Sequence, residues 1–223
     1  MLNLVGSILD SSGYSCHTRN LLSALMKQTK VKLITQIPAG METQLTDKEL
    51  IAIKNNEVYD INLCIVHPVH WRMHTTNKRN WVYCVWEGDK IPKSFIKEIL
   101  NDEIEYVIVP STHTEKAIYN TINGNELNQT FQWINEKGEI YKIENVASIL
   151  EEKIKVINHG INLDIFYPTE KPKDKFRFLA NKGFRHLEDR GGIQYLVLAF
   201  LQEFTKEDNV ELLVKINPSY GVP

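Results

Sequence analysis

Cysteine is scarce in this sequence. Cys16, Cys64 and Cys84 are the only three, the count is odd and no CxxC pair occurs. A disulfide framework and a ribbon-type zinc site are therefore excluded, and the three read as reduced, buried thiols of an intracellular, cytoplasmic protein. Neither sign of charge dominates. Lys and Arg number 26 against 28 Asp and Glu, a formal net charge of −2, which leaves no electrostatic footprint for nucleic acid. No apolar run approaches the ~20 residues that cross a bilayer. The opening MLNLVGSILDSSGYS has no basic region ahead of its short apolar stretch and makes a poor signal peptide. There is no GxGxxG and no Asp-x-Asp pair. The first absence argues against a dinucleotide cofactor. The second argues against holding a nucleotide diphosphate through a metal ion.

What is present is the alternation of an α/β protein. Hydrophobic residues make up 43% and charged residues 24%, which sets aside wholesale disorder. LNLVGSIL (2–9), KVKLITQI (30–37), INLCIVHP (61–68), NWVYCVWE (80–87), EYVIVPS (105–111) and KIKVINHGI (153–161) read as strands. CHTRNLLSALMKQ (16–28) and PKSFIKEIL (92–100) read as helices, the second with Pro92 at its first position. A third helix begins with Thr112 and Glu115 at capping-box spacing and is stopped by Gly124. Strands alternating with helices predict a Rossmann-like parallel sheet with helices on both faces. TFQWINEKGEIYKI (130–143) alternates about an Asn-Glu-Lys-Gly turn and predicts a β-hairpin inserted near 128–145. YPTEKPKDK (167–175) predicts an exposed linker. KFRFLAN, GGIQYLVLAFLQEF and VELLVKI then form one further βαβ unit. The expected domains are 1–168, with the insertion, and 169–223.

Ligands of parallel α/β sheets gather where strands end, so five loops hold the candidates. GSILDSSGYSCHTR (6–19) offers Gly13, with its freedom of backbone angle, and a helix N-terminus for an anion or a sugar hydroxyl. VHPVHWRMH (66–74) offers His67 as a proton shuttle or hydrogen-bond partner. His67, His70 and His74, broken by Pro68, lack the pairing of a helical zinc site, and no metal is expected. VWEGDKIP (85–92) offers Glu87 and Asp89, and NHGINLDIFYP (158–168) offers Gly160. GFRHLEDRGG (183–192) sets Arg185 and Arg190 before Gly191 and Gly192 at a helix start, a guanidinium pair suited to phosphate oxygens.

Together these segments resemble the glycosyltransferase family 4 (group 1) enzymes of GT-B fold. SGYSCHTRNLLSAL is similar to that family's Ser-Gly-Tyr loop and first helix, and YCVWEGDKIPKSF to its Trp-Glu-x-Asp-x-x-Pro segment. VIVPSTHT is similar to its Val-Pro-Ser strand end, and VINHGINLDIFYP to its hinge, with His159 where asparagine is usual. FLANKGFRHLEDRGGIQYLVLAF resembles its donor-phosphate loop, with Arg190 standing for a lysine. The resemblance implies transfer of a sugar, with retention, from a nucleotide-sugar to a sugar, lipid or protein acceptor, with no other cofactor. Arg185 and Arg190 would hold the donor diphosphate. Gly13, Tyr14, Glu87 and Gly160 would line the cleft, and His67 would contact the reacting sugar as the catalytic candidate. Glu203 and Glu211 have the spacing of the family's Glu-x7-Glu motif, but they fall at the end of the expected helix and inside the expected strand VELLVKI, and nothing in residues 193–223 is assigned as that motif. The expectation is therefore a first domain plus the opening of the second, with weak or no transferase activity. The rival is a non-catalytic sugar- or partner-binding module of the same architecture. A dehydrogenase needs an acidic residue ending the second strand, and VKLITQIPAG has none.

Overall fold

The computed structural model describes residues 1–10, 12–37, 44–76, 79–123, 130–134, 138–170, 174–181 and 192–215. The chain divides into two compact units, Met1–Asn162 and Leu163–Pro223, where a break after residue 168 was expected. In the first unit the elements are β1 (Leu2–Gly6), α1 (Gly13–Leu25), β2 (Val31–Ile34), α2 (Asp47–Ile53), β3 (Ile61–Ile65), a 3₁₀ helix (Pro68–Met73) and β4 (Arg79–Tyr83). They continue with α3 (Lys93–Ile99), β5 (Ile104–Val109), α4 (Thr112–Asn123), β6 (Phe131–Ile134), β7 (Ile140–Ile143), α5 (Val146–Lys153) and β8 (Ile154–Val156).

Six of these strands form one parallel sheet in the order β2-β1-β3-β4-β5-β8. With helices on both faces this is a Rossmann-like α/β fold. Residues alternate between the faces, as a pleated strand requires. Leu2, Leu4, Leu63, Ile65 and Tyr83 pack with Leu22 of α1 and Ala52 of α2. Val5, Cys64, Val82 and Val107 pack with Ile96 of α3, Ile118 of α4 and Leu150 of α5. Every residue of β1 is buried, which accounts for its unbroken apolar run.

The strands are shorter than their apolar runs suggest, because the run continues as the chain leaves the sheet: β1 stops at Gly6 and β4 at Tyr83. α1 begins three residues before the expected 16, since Ser12 caps it and its Oγ accepts the Ser15 N–H at 3.2 Å. Pro92 occupies the cap position of α3, one place outside the helix. α4 is capped by Ser111, whose Oγ accepts the Thr114 N–H at 3.3 Å, and Thr112 is already helical. Gly124 lies outside the described residues. Cys64 and Cys84 are buried as expected, whereas Cys16 is exposed, because it lies on the outer side of α1.

β6 and β7 pair antiparallel as the expected hairpin, Trp133 opposite Tyr141, and Gly138 takes a φ of +79°. The hairpin is anchored, for Phe131 is buried in the α3–α5 core. In the second unit, β9 (Phe176–Asn181), α6 (Ile193–Glu203) and β10 (Val210–Lys215) form one βαβ unit with β9 and β10 parallel. Phe178 packs edge-on to Phe200, with ring centroids 5.8 Å apart. Residues 163–170 are exposed, in keeping with a linker.

Candidate functional site

In a parallel sheet every strand ends on the same edge, so the loops after β1, β3, β4, β5 and β8 share one rim. The chain runs from β1 outward to β2 and then returns across β1 to β3. Ligands of such sheets bind beyond the strand ends at a reversal of this kind, here that between β1 and β3.

Gly6 ends β1 beneath α1. A Cβ there would lie 2.7 Å from Thr18 Oγ1 and 3.1 Å from the Ile65 carbonyl oxygen, so the missing side chain lets the helix cross both strand ends closely. The loop from β1 to α1 ties itself down. Asp10 Oδ1 accepts the Ser12 N–H at 2.7 Å, and Ser7 Oγ donates to Asp10 Oδ2 at 2.7 Å. These bonds, those of Ser12 first, hold the Asp10 carboxyl far below the usual carboxylate range. Arg19 donates to the carbonyls of Ile8 and Asp10. The helix N-terminus that the sequence offers to an anion is thus already faced by the protein's own carboxylate, which disfavours phosphate there and leaves a neutral hydroxyl as the better ligand.

Beside this loop the first turn of α1, the end of β4 and the segment after β8 bring four rings together. His17 stacks on Tyr83 at 4.6 Å between centroids and lies 4.7 Å from His159. Tyr14 meets Tyr83 edge-on at 6.3 Å. The Tyr83 hydroxyl bonds His159 Nε2. Burial lifts the Tyr83 phenol well above its usual range, with Tyr14 and Cys84 adding to the effect, so the phenol keeps its proton. Burial, then Cys84, lifts Tyr14 to about 12, and burial alone lifts Cys84 to about 12. Burial, then His159, lowers the pKa of His17, which favours its neutral form. The cluster therefore presents ring faces and imidazoles, groups that hold sugars and accept protons.

The candidates from the sequence separate into three groups. Tyr14 belongs to the ring cluster. His67 sits further along the rim, exposed at the start of the 3₁₀ helix, edge-on to Phe95 at 5.0 Å and 6.4 Å from His70. Burial, then His70, lowers its pKa. Glu87 is also exposed on the rim, where its carbonyl accepts a hydrogen bond from His113 Nε2 at 3.1 Å. Gly13 and Gly160 have ordinary backbone angles, and a Cβ on either would meet nothing within 4 Å, so the angular freedom expected of Gly13 is not used. Arg185 and Arg190 lie outside the described residues. Gly192, which follows them, takes a φ of +69° at the start of α6.

Sequence reasoning passed over His17, Tyr83, Asp10 and Arg19. A helix started at Gly13 would have put Tyr14 and His17, three apart, on one face, and that was the available signal. Tyr83 and His159 are 76 residues apart and carry no local signal of contact. Among the described residues, no three His, Cys, Asp or Glu side chains gather as a metal site would require. Nor is any described helix long and apolar enough to cross a membrane. Compared with models of known families, with curated proteins and with solved structures, the chain matches none.

Proposed function

We propose that this protein takes part in sugar transfer from a nucleotide-sugar, with the rim of the first unit as the acceptor side. One observation carries the reading. Segments that resemble family 4 glycosyltransferases on sequence, far apart in the chain, meet on one rim, where Tyr14, His17, Tyr83 and His159 are in ring contact. The carboxylate of Asp10 beside them supports a ligand rich in hydroxyls over one rich in phosphates. In this reading His67 contacts the reacting sugar, while Glu87, Gly13 and Gly160 border the bound acceptor. Arg185 and Arg190 hold the donor diphosphate as bidentate ligands, stabilising the charge that develops as the leaving group departs. The free thiols Cys16, Cys64 and Cys84 suit a reducing, cytoplasmic setting.

The test is binding and turnover of uridine-, adenosine- and guanosine-diphosphate hexoses by the intact chain, followed by saturation-transfer NMR and by release of the nucleoside diphosphate. At least one should bind saturably. Arg185→Ala and Arg190→Ala should each weaken that binding by about tenfold, the loss of one hydrogen-bonded charge contact. If none binds, or if both variants bind as well as the parent, the reading is wrong. Saturable binding with no release across a panel of sugar acceptors assigns the non-catalytic binding module instead.

A further inference from the structure

The second unit leaves a sheet edge bare. β10 pairs with β9 on one side, and among the described residues no strand pairs with it on the other. A regular, apolar edge is a template for a further strand. The first unit guards its own sheet edges: Asn55 Nδ2 donates to the Val31 carbonyl of β2 at 3.2 Å, and β8 is only three residues long. β10 runs for six residues, with Leu212, Leu213 and Val214 in succession, no proline and no shift of register against β9.

The two faces of this small sheet differ. One carries Phe178 beside Leu212 and Ala180 beside Val214. α6 covers it, Phe178 meeting Phe200 and Phe204 at 5.8 and 5.4 Å between centroids. The other face carries Arg177 beside Glu211, Leu179 beside Leu213 and Asn181 beside Lys215. Arg177 and Glu211 form an ion pair. Leu179 is 67% exposed and Leu213 49%. Along β10 this face therefore reads acid, leucine, base, a pattern that becomes its own complement when the strand is reversed.

We propose that β10 pairs antiparallel with β10 of a second copy of this chain, about a two-fold axis at Leu213, so that the two second units share one four-stranded sheet. Such pairing sets residue 211 opposite 215 and residue 212 opposite 214. Glu211 of each copy faces Lys215 of the other, at both ends of the seam. Between these pairs the four leucines, Leu179 and Leu213 of each copy, form one apolar row, and beneath α6 Leu212 meets Val214. Sliding the strands by two residues, which keeps the faces, sets Glu211 or Lys215 against Leu213 instead. The edge of β9 has no such match, since reversal about Leu179 sets Arg177 against Asn181. Pairing of like edges closes as a dimer, whereas β10 against β9 of the next copy repeats without end. The proposal goes beyond the sugar-transfer reading and does not rest on it.

Sedimentation equilibrium of the intact, reduced chain from about 2 to about 200 µM spans the affinity of a small interface. The mass should rise from that of one chain to that of two and stop there. Lys215→Glu sets carboxylate against carboxylate at both ends of the seam and should raise the dimer Kd about tenfold. Oxidative cross-linking reads the register. It is done with Cys16→Ser, which removes the exposed native thiol. Leu213→Cys should then give a covalent dimer, since opposed residues of an antiparallel pair have Cα atoms about 4.5–5.5 Å apart, within disulfide reach. Leu179→Cys, at the more exposed position, should not, because two strands intervene. A chain that stays monomeric at every concentration overturns the proposal and leaves the edge to a strand of another protein. An unchanged Kd in Lys215→Glu, cross-linking at position 179 as ready as at 213, or assemblies growing beyond two copies each overturn it as well.

Discussion

Gly6 positions everything on the rim by having no side chain. The atoms a Cβ would meet are Thr18 Oγ1, itself buried and bonded to the Tyr14 carbonyl at 2.9 Å, and a backbone oxygen of β3. Neither is the free end of a flexible side chain, so α1 must move. Gly6→Ala is expected to cost about 1–3 kcal/mol, the usual penalty of overpacking, read as a lowered urea midpoint. Because α1 carries Tyr14 and His17, the variant should also weaken backbone hydrogen-exchange protection of residues 157–160 at neutral pH. Gly13 and Gly160 drew attention in the sequence as loop glycines, yet a Cβ on either meets open space. The residue that needs to be glycine hides inside an apolar run, where the sequence shows only a small residue at a strand end. Close approach is a property of the partner element, and no local pattern reports it.

At the scale of elements, a polar ladder crosses the sheet. Asn3, Asn62 and Asn80 stand in register on β1, β3 and β4, all buried. Asn3 Nδ2 donates to Asn62 Oδ1 at 2.8 Å and Asn62 Nδ2 to Asn80 Oδ1 at 3.1 Å. A slip of one residue would turn every asparagine to the other face and leave it unpaired, so the ladder favours a single register. Asn62→Leu should cost about 1–3 kcal/mol, since a buried donor on Asn3 loses its acceptor. Adding Asn3→Leu should cost less than the sum of the two single changes, because the orphaned group is then gone. A double-mutant cycle by chemical denaturation checks both.

The same scale explains which elements the sequence made legible. The parallel strands announce themselves by continuous apolar runs, α1 by apolar periodicity, α3 by the proline at its start and α4 by the capping spacing of Thr112 and Glu115. α2 and α5 went unread, being seven and eight residues long, too short for a periodic stripe to stand out. The trace of α2 was its capping box, with the Thr46 N–H donating to Glu49 Oε2 at 2.7 Å. Strand ends were misjudged for a related reason. Residues such as Val66 and Val85 stay apolar after leaving the sheet, because they still pack on the core beneath the rim.

Taken whole, the molecule concentrates its core in the first unit. Both hydrophobic clusters lie within Met1–Asn162. Among the described residues of the second unit only Ala180 and Ile193 are buried hydrophobics, while Leu179, Tyr195, Leu198 and Leu201 are exposed. Residues 1–162 alone should therefore unfold cooperatively, with a urea midpoint close to that of the full chain. Trp71, Trp81, Trp86 and Trp133, the four tryptophans, all report on that unit by fluorescence. Residues 163–223 alone should bind an apolar dye and show no sharp transition, since one βαβ unit buries too little surface. A non-cooperative 1–162 fragment would contradict this account.

What the sequence determined by itself is the α/β class, the parallel sheet and the hairpin. Each of these is written in local periodicity and turn residues, which act over a few positions. Tertiary structure alone decided that Gly6 lies tight against the end of β3, and that His17, Tyr83 and His159 meet. Those contacts join residues tens of positions apart, and they exist only because a parallel sheet delivers every strand end to the same edge.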